Sequence, residues 1–271
     1  MDSSFTFSNK LHSFFQIEKH PSPTVSHKVP NFLYSSSLYK PLPSPQLLLL
    51  SPEALTLLDL DLSLDSDFFQ MLSGSNLKIS NCDPISHNYS GHQFGTYVGQ
   101  LGDGRSASLG DFINKKSQKW ELNIKGSGKT AYSREADGRS MLRSCVKEFL
   151  FSEYMNKIGV PTIRALAVFG SFKELVDRDL IFEGNRKLEP AGVVCRLSPN
   201  YIRIGSFEMR WEDRLFQRKG WESEEKITSL LKQLIDYVLE FDFKEIEKND
   251  VKKNAKFYQE VVKRTAKLAA C

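Results

Sequence analysis

The stretch that decides the fold runs from residue 91 to residue 150 and reads GHQFGTYVGQLGDGRSASLGDFINKKSQKWELNIKGSGKTAYSREADGRSMLRSCVKEFL. It begins with a glycine-rich turn in which Gly102 and Gly104 permit positive φ angles and a close approach of the backbone to a ligand. Consecutive backbone amides in such a turn can bind an anion, and Arg105 adds a planar fork of donors that suits phosphate. The three residues also fit an ordinary hairpin turn with an exposed arginine.

A strand that ends in a lysine follows the turn. Apolar residues alternate over positions 120–124, which is typical of a half-buried strand, so Lys125 is expected to point to the opposite face. The adjoining sequence GSGKT at 126–130 imitates a phosphate-binding P-loop. That motif requires glycine at position 123, where this chain has asparagine. We therefore expect GSGKT not to bind phosphate.

A helix with a glutamate on its edge comes next. Its apolar stripe contains Leu142, Cys145, Val146, Phe149 and Leu150, and Gly159 and Pro161 predict its end. Glu148 lies beside this stripe, where most glutamates are solvated and a partly buried one requires a cation. Lys125 is the expected partner. The order of turn, lysine and glutamate is that of the protein-kinase small lobe, in which the lysine binds phosphates and the glutamate binds the lysine.

Several ordered motifs between about Ser86 and Glu208 resemble the SelO (selenoprotein O, YdiU) family. They are GHQFG, QLGDGR, K-G-x-G-x-T-x-Y-S-R, ADGR, LRS-x-x-x-E-F-L, G-x-P-T-x-R-A-L and R-L-S-P-N-Y-I-R-x-G-S-F-E. Members of that family are kinase-fold proteins that transfer AMP from ATP to Ser, Thr or Tyr hydroxyls of proteins, with Mg²⁺. The resemblance implies an α+β, protein-kinase-like fold, with a small lobe built on a mixed or antiparallel sheet and the first helices of a large lobe.

The resemblance also implies a nucleotide site, residue by residue. It carries ATP contacts onto Gly102, Gly104, Arg105, Lys125, Asp137, Gly138, Arg196 and Arg203, with Glu148 supporting Lys125. From its position alone, Asp137 would equally fit a cap of the following helix. Arginines 196 and 203 flank a turn, where most arginines are exposed and ordinary. In the family the nucleotide lies reversed relative to ordinary kinases, which implies that the four basic residues bind the outer phosphates.

No catalytic and no metal-binding residue is expected in this chain. The resemblance places the candidate base and the metal-binding Asn and Asp in H-G-x-x-N-T-D-N and D-Y-G segments, which we expect beyond residue 271. The kinase-like sequence Arg178-Asp179-Leu180 lacks the required asparagine, because position 184 is glycine. We therefore reject it as a catalytic site, and the family resemblance implies that this segment is a strand connection. A catalytically inactive, nucleotide-binding regulatory module or a non-functional fragment remains the alternative function.

Three segments are expected along the chain. Residues 1–45 are rich in Ser, Pro and Phe, and we expect them to form a poorly ordered lead-in. Residues 46–210 are expected to form the kinase-like small lobe. Residues 211–271 are expected to form the start of the helical large lobe, which is incomplete. Periodic apolar residues predict two helices in the last segment, at 227–238 and 258–269. Without a partner lobe, the apolar stripe is expected to be exposed.

Composition excludes several classes of protein. The net charge of +4, with 26% charged and 40% hydrophobic residues, is typical of a soluble globular protein. Basic residues do not cluster among aromatic ones, which argues against a nucleic-acid partner. The leucine run 47–50 is too short to span a membrane.

Cysteine usage and the family resemblance complete the expectations. The four cysteines lack metal-ligand spacing, and Cys145 and Cys195 are predicted to be buried thiols. The expected partners are ATP and protein substrates, without a membrane. The resemblance implies a mitochondrial location if the source is eukaryotic; otherwise we expect a cytoplasmic one.

Overall fold

A computed structural model of the chain describes residues 7–60, 66–76, 82–179, 184–209 and 224–271. The strands are β1 (Tyr34–Ser36), β2 (Gln46–Leu50), β3 (Ile85–His87), β4 (Ser90–Gln93), β5 (Thr96–Gln100), β6 (Ser106–Ile113), β7 (Lys119–Lys125), β8 (Ser140–Met141), β9 (Arg164–Asp179) and β10 (Arg186–Ser198). Eight strands form one sheet in the order β1-β3-β6-β7-β10-β9-β2, with β8 paired to β10, and β4 and β5 form a separate hairpin. Neighbouring strands are antiparallel throughout.

The helices are α1 (Lys10–Phe14), α2 (Pro52–Thr56), α3 (Ser66–Ser73), α4 (Leu142–Lys157), α5 (Glu224–Phe241) and α6 (Lys253–Ala269), with a 3₁₀ turn at Ile204–Phe207. The described elements form an α+β fold around an antiparallel sheet, as the family resemblance implies. None of the described helices is long and apolar enough to cross a membrane.

Helices pack on both faces of the sheet. Because successive residues of a strand point to opposite sides, each strand supplies side chains to both layers. On β10, Val193 faces the core that contains α2 and α3, whereas Val194 faces α4 and contacts the cluster around Cys145 and Phe149. Gly192 lets α4 approach closely, since a Cβ at this position would lie 2.9 Å from the Leu142 Cα. The alternation therefore fixes α4 against the strands that flank the candidate site.

The ends of α4 differ partly from the prediction. Its N-cap residue is Met141, in extended backbone and without a capping side chain, so Asp137 does not cap this helix. The helix ends as predicted before Gly159, whose φ is +84° and whose amide donates to the Asn156 carbonyl at 3.1 Å. Asp137 is thereby free for the contacts described below.

Residues 7–45 pack against the rest of the molecule and do not form the expected poorly ordered lead-in. Leu11, Phe15 and Tyr34 lie in one buried cluster with Leu234 and Tyr237 of α5. Their apolar positions follow no periodic pattern, and their partners lie some two hundred residues away, so local sequence does not reveal this burial. The segment thus supplies the edge strand β1 and packs its buried side chains against α5. Residues 1–6 of the expected lead-in lie outside the described residues.

The last helix shows the expected exposed stripe. Helix α6 has no buried residue, and Tyr258, Val262 and Leu268 are exposed large apolar side chains. By contrast, α5 buries Leu234 and Tyr237. Of the two helices predicted from periodicity, α5 buries residues in a core cluster, whereas α6 contacts that cluster only through partly buried side chains such as Phe257.

Candidate functional site

A cleft of about 640 Å³ opens beside Lys125, the last residue of β7. All eight residues onto which the family resemblance carries ATP contacts line it: Gly102, Gly104, Arg105, Lys125, Asp137, Gly138, Arg196 and Arg203. Among the described residues of its lining, seven are arginine or lysine and two are aspartate. This excess of positive charge favours an anionic ligand.

Glu148 of α4 holds two of these cations. Its Oε2 accepts a hydrogen bond from Lys125 Nζ at 2.5 Å, and its Oε1 accepts one from Arg196 Nη1 at 3.0 Å. The strand lysine and helix glutamate therefore meet as predicted, and the pairing with Arg196 is an addition. Burial acts to raise the pKa of Glu148, but Arg196 and Lys125 outweigh it and hold the pKa below its usual value.

Arg196 is fixed on three sides beneath the cleft. Besides Glu148, its Nη2 donates to Asn123 Oδ1 at 2.5 Å and to Ser106 Oγ at 3.3 Å. Its side chain is only 7% exposed. Asn123 occupies the position where a P-loop would have glycine, and its side chain serves to orient an arginine instead.

Arg203 and Arg105 differ in how they are held. Arg203 lies 3.4 Å from the Asp103 carboxylate and stacks over the Tyr89 ring, with its guanidinium carbon 4.8 Å from the ring centre. Within the described part of the chain, the exposed Arg105 guanidinium has no hydrogen bond and no ion pair. Arg105 is thus the most readily available cation for a ligand.

The glycines of the cleft are required by close packing. Gly102 has a φ of +70°, and a Cβ there would lie 2.2 Å from the Tyr132 ring. Gly138 has a φ of +74°, and its Cβ would lie 2.1 Å from the Gly128 carbonyl carbon. Any side chain at either position would push apart the two loops that wall the cleft.

The GSGKT loop forms part of this framework. The amides of Gly126, Ser127 and Gly128 donate to backbone carbonyls, at 2.7, 3.3 and 3.1 Å. Lys129 is exposed and is absent from the cleft lining. Because a P-loop offers these amides to phosphate, their engagement agrees with the expectation that this loop is not one.

The ADGR turn, residues 136–139, exchanges ion pairs with β9. Asp137 binds Arg178 through both carboxylate oxygens, each at 2.7 Å. Arg139 binds Glu174 in the same two-point manner, with both distances 2.9 Å. Burial opposes ionisation of Asp137, but Arg178 and the Arg139 amide lower its pKa.

Arg178 and Arg139 line the cleft but were not among the predicted site residues. The ADGR motif was the available signal for Arg139. Arg178 belongs to the Arg178-Asp179-Leu180 sequence that imitates the kinase catalytic loop, and once that motif was rejected no local signal marked Arg178 as a residue of the cleft. Arg178 belongs to β9, so the predicted strand connection lies after it, and residues 180–183 of that connection lie outside the described part.

A buried ion pair lies beneath the turn that carries Arg203. His87 Nε2 and Glu121 Oε1 are 2.8 Å apart, with 2% and 0% side-chain exposure. Glu121 Oε2 also accepts a hydrogen bond from the Tyr201 amide at 3.1 Å. Burial acts to lower the pKa of His87, but Glu121 outweighs it and raises the pKa above its usual value. This pair anchors the turn between the two arginines.

No group of three or more His, Cys, Asp or Glu side chains within the described ranges could hold a metal ion. The two carboxylates of the cleft, Asp103 and Asp137, are both occupied by arginines. Cys145 and Cys195 are buried, as the sequence predicts, and burial raises the pKa of the Cys145 thiol to about 12. The cleft therefore offers cations and backbone amides as its ligand-binding groups.

Comparison with known proteins gives a family. The family model for "Protein adenylyltransferase SelO" matches residues 17–271. The chain is 39% identical over 258 residues to protein nucleotidyltransferase YdiU of Aromatoleum aromaticum, which covers 93% of this chain and 47% of that protein. It is 41% identical over 238 residues to YdiU of Azoarcus sp., covering 88% and 43% of the two chains.

A mammalian protein is similar to the same extent. Mouse "Protein adenylyltransferase SelO, mitochondrial" is 38% identical over 252 residues, covering 89% of this chain and 37% of the mouse protein. The chain thus spans about half the length, or less, of the curated relatives it matches. Since the family model covers nearly all of the sequence, the chain belongs to the SelO family of protein adenylyltransferases.

Proposed function

We propose that this chain carries the ATP-binding part of a protein adenylyltransferase, which transfers AMP from ATP to Ser, Thr or Tyr hydroxyls of proteins. The observation that carries the proposal is the cationic cleft in which Glu148 holds Lys125 and Arg196 side by side. The names of the relatives, protein nucleotidyltransferase and protein adenylyltransferase, support the reaction class.

The cleft would bind the phosphates rather than the base. Arg105, Lys125, Arg196 and Arg203 supply charge, and the glycine turn at 102–104 lets the backbone come close to the ligand. With the nucleotide reversed, these residues bind the β- and γ-phosphates. The α-phosphate is then left for the acceptor hydroxyl.

In the proposed reaction, negative charge develops on the leaving pyrophosphate, next to the basic residues of the cleft. The acceptor oxygen forms a bond to the α-phosphorus while the bond from that phosphorus to the bridging oxygen breaks. Pyrophosphate leaves with the electron pair, and the hydroxyl proton passes to a base. Arg105, Lys125 and Arg196 stabilise the negative charge that grows on the leaving pyrophosphate. No residue of this chain is assigned as the base.

The Mg²⁺ that the family implies does not fit the groups present in the described cleft. Asp103 and Asp137 are engaged by Arg203 and Arg178, and three-ligand clusters are absent from the described residues. We therefore derive no step through a metal from these side chains. The contribution of this part of the protein is cationic and positional.

A kinase-like small lobe over residues 46–210, followed by the start of a helical lobe over 211–271, remains our proposal for the architecture. The Lys125–Glu148 pair between a strand and a helix supports it, since this is the arrangement of the kinase small lobe. The name of the mouse relative supports a mitochondrial location if the chain is eukaryotic. Protein substrates follow from the same proposal.

Isothermal titration with ATP, tripolyphosphate and adenosine tests the site. We expect ATP and tripolyphosphate to bind and adenosine to bind weakly, because the cleft is built for anions. A folded chain that binds adenosine as well as ATP, or binds neither, would contradict the proposal.

A chimera tests the reaction. Residues 1–271 replace the matching part of the Aromatoleum aromaticum relative, and transfer of label from α-labelled ATP to protein is measured with Mg²⁺. Transfer by the chimera, lost on Lys125→Ala, supports the adenylyltransferase proposal. A folded chimera that binds ATP without transfer would favour the catalytically inactive module instead.

A further inference from the structure

The ADGR turn and strand β9 are joined by two arginine–carboxylate pairs that run in opposite directions. In one pair the carboxylate belongs to the turn: Asp137 binds Arg178 of β9. In the other the carboxylate belongs to β9: Glu174 binds Arg139 of the turn. Glu174 and Arg178 are four residues apart on β9, and both pair with residues of the turn. The turn is therefore held at two points by a single strand.

The Arg139 guanidinium is fully occupied and buried. Its five N–H groups donate to both oxygens of Glu174 and to the carbonyls of Lys40, Pro41 and Gly126, at 2.8 to 3.0 Å. It is 3% exposed. Arg139 thus anchors the turn in the body of the protein and has no donor left for a ligand.

Arg178 lies at the surface of the cleft, and most of its N–H groups also donate hydrogen bonds within the protein. Its Nη1 and Nη2 donate to the two Asp137 oxygens at 2.7 Å, and to the carbonyls of Asp177 at 2.9 Å and Arg139 at 3.1 Å. These bonds use four of its five N–H groups. A lysine could not reproduce this planar, two-point arrangement.

Asp137 is occupied in turn. Its Oδ1 accepts from Arg178 and from the Arg139 amide at 2.8 Å, and its Oδ2 accepts from Arg178. A carboxylate would also repel an anionic ligand. By contrast, the backbone amides of Asp137 and Gly138 have no acceptor among the described residues, although both residues line the cleft.

We propose that the Asp137–Gly138 contact with the nucleotide is made by these two backbone amides to a phosphate, and that Arg178 is the positioning residue that fixes them. The inference rests on the proposed function, since it assigns a role within the same nucleotide site. Two consecutive amides beside a glycine with positive φ form a typical anion-binding concavity. Arg178 acts through Asp137 and does not itself bind the ligand.

The test is titration of ATP and tripolyphosphate into the wild-type chain and its Arg178→Lys, Asp137→Asn and double variants. Lysine keeps the charge of Arg178 but loses the fork. We expect Arg178→Lys to weaken both ligands by about fivefold, because the turn is less well ordered. The double variant should be no weaker than Arg178→Lys, since Asp137 acts through the same arginine.

Arg186→Lys is the matched control. Arg186 lies on β10 of the same hairpin, pairs with Asp177 at 2.9 Å, and is absent from the cleft lining. This substitution also keeps the charge and removes a fork, so it should leave both affinities within about twofold. Circular dichroism and thermal unfolding establish that every variant is folded.

Each outcome decides a distinct point. Unchanged affinity in Arg178→Lys overturns the positioning role, and multiplied losses in the double variant would mean that the Asp137 carboxylate contacts the ligand directly. If Arg178→Lys weakens ATP but not tripolyphosphate, the turn contacts the nucleoside part of ATP, which would overturn the phosphate assignment. If the wild-type chain binds neither ATP nor tripolyphosphate, the proposed function is contradicted together with this inference. If the wild-type chain binds both and Arg178→Lys has the same affinities, only this inference is contradicted.

Discussion

Lys125 Nζ lies 2.5 Å from Glu148 Oε2, although the two residues come from β7 and α4. The other oxygen of the same carboxylate binds Arg196 at 3.0 Å. One anion therefore holds two cations in place and neutralises only half of their charge. The positive charge that remains is available for a phosphate.

The first prediction separates the cleft from the P-loop-like sequence. Lys125→Ala should lower the affinity for ATP by about tenfold, because it removes a fixed cation from the site. Lys129→Ala is the control, since Lys129 is exposed, lies four residues further on and does not line the cleft. Titration calorimetry measures both. The opposite ranking would mean that GSGKT binds the phosphates.

The second prediction concerns the anion that holds the two cations. Glu148→Gln leaves Lys125 and Arg196 without a countercharge. We expect it to lower the free energy of unfolding by about 1–2 kcal/mol, a modest value because the Lys125–Glu148 pair is partly exposed. ATP should stabilise this variant more than the wild type, since its phosphates supply the missing negative charge. Thermal unfolding with and without ATP measures this difference.

Glu153→Gln is the matched control for Glu148→Gln. Glu153 lies on the same helix and binds Arg164 through both oxygens, at 2.9 and 2.7 Å, outside the cleft. The Glu153→Gln variant should also have a lower free energy of unfolding than the wild type. ATP should stabilise this variant only as much as it stabilises the wild type. An equal gain from ATP in both variants would contradict the role assigned to Glu148.

The third prediction tests the close packing of the cleft loops. Gly138→Ala should cost about 3 kcal/mol or more of unfolding free energy, because its Cβ would meet the Gly128 backbone in addition to the strain of positive φ. Gly159→Ala is the control: its φ is +84°, but a Cβ would meet nothing within 4 Å. It should cost about 1 kcal/mol. Equal costs in urea unfolding would show that the contact is unimportant.

The fourth prediction concerns pH and the buried His87–Glu121 pair. The folded-state pKa of His87 lies above its usual value of 6.5. Its contribution to stability is therefore complete below about pH 6.5 and is lost as the pH rises through the folded-state pKa. Glu121, whose pKa is lowered from 4.5, contributes above that value and loses its contribution on acidification.

Urea unfolding between pH 5 and pH 9 measures the His87 contribution. In the wild type, this one group should reduce the free energy of unfolding by up to about 1.4 kcal/mol per pH unit across the window. His87→Gln should remove that slope, because glutamine can still donate to Glu121 but does not titrate. His92→Gln, at an exposed position in β4, should keep it. A slope that survives in His87→Gln would assign it to another group.

Much of the site follows from local sequence. The alternation before Lys125 fixes the face of the strand to which it points, and the apolar stripe of α4 places Glu148 at the edge of the buried helix face. Neither inference needs distant contacts, because strand and helix periodicities act within a few residues. Gly102 was recognisable from its glycine-rich turn, whereas Gly138 was identified only through the family resemblance; both have positive φ in the structure.

The pairs formed between distant segments did not follow from the sequence. Arg178 meets Asp137 only because β9 returns beside the turn 41 residues later, and nothing in either segment marks the partner. The role of Arg196 as a second partner of Glu148 likewise depends on the pairing of β10 with β7. Burial of residues 7–45 was missed for the same reason, since Tyr34 gains its cover from α5.

The packing of the N-terminal segment has a consequence for synthesis of the protein. The Phe14 carbonyl accepts a hydrogen bond from Gln233, 219 residues further along the chain. At about 5–20 residues per second, the ribosome makes the α5 partner about 10–40 s after Phe14. During that interval Phe15 and Tyr34 lack their final neighbours, so their apolar surface stays uncovered until α5 has been made.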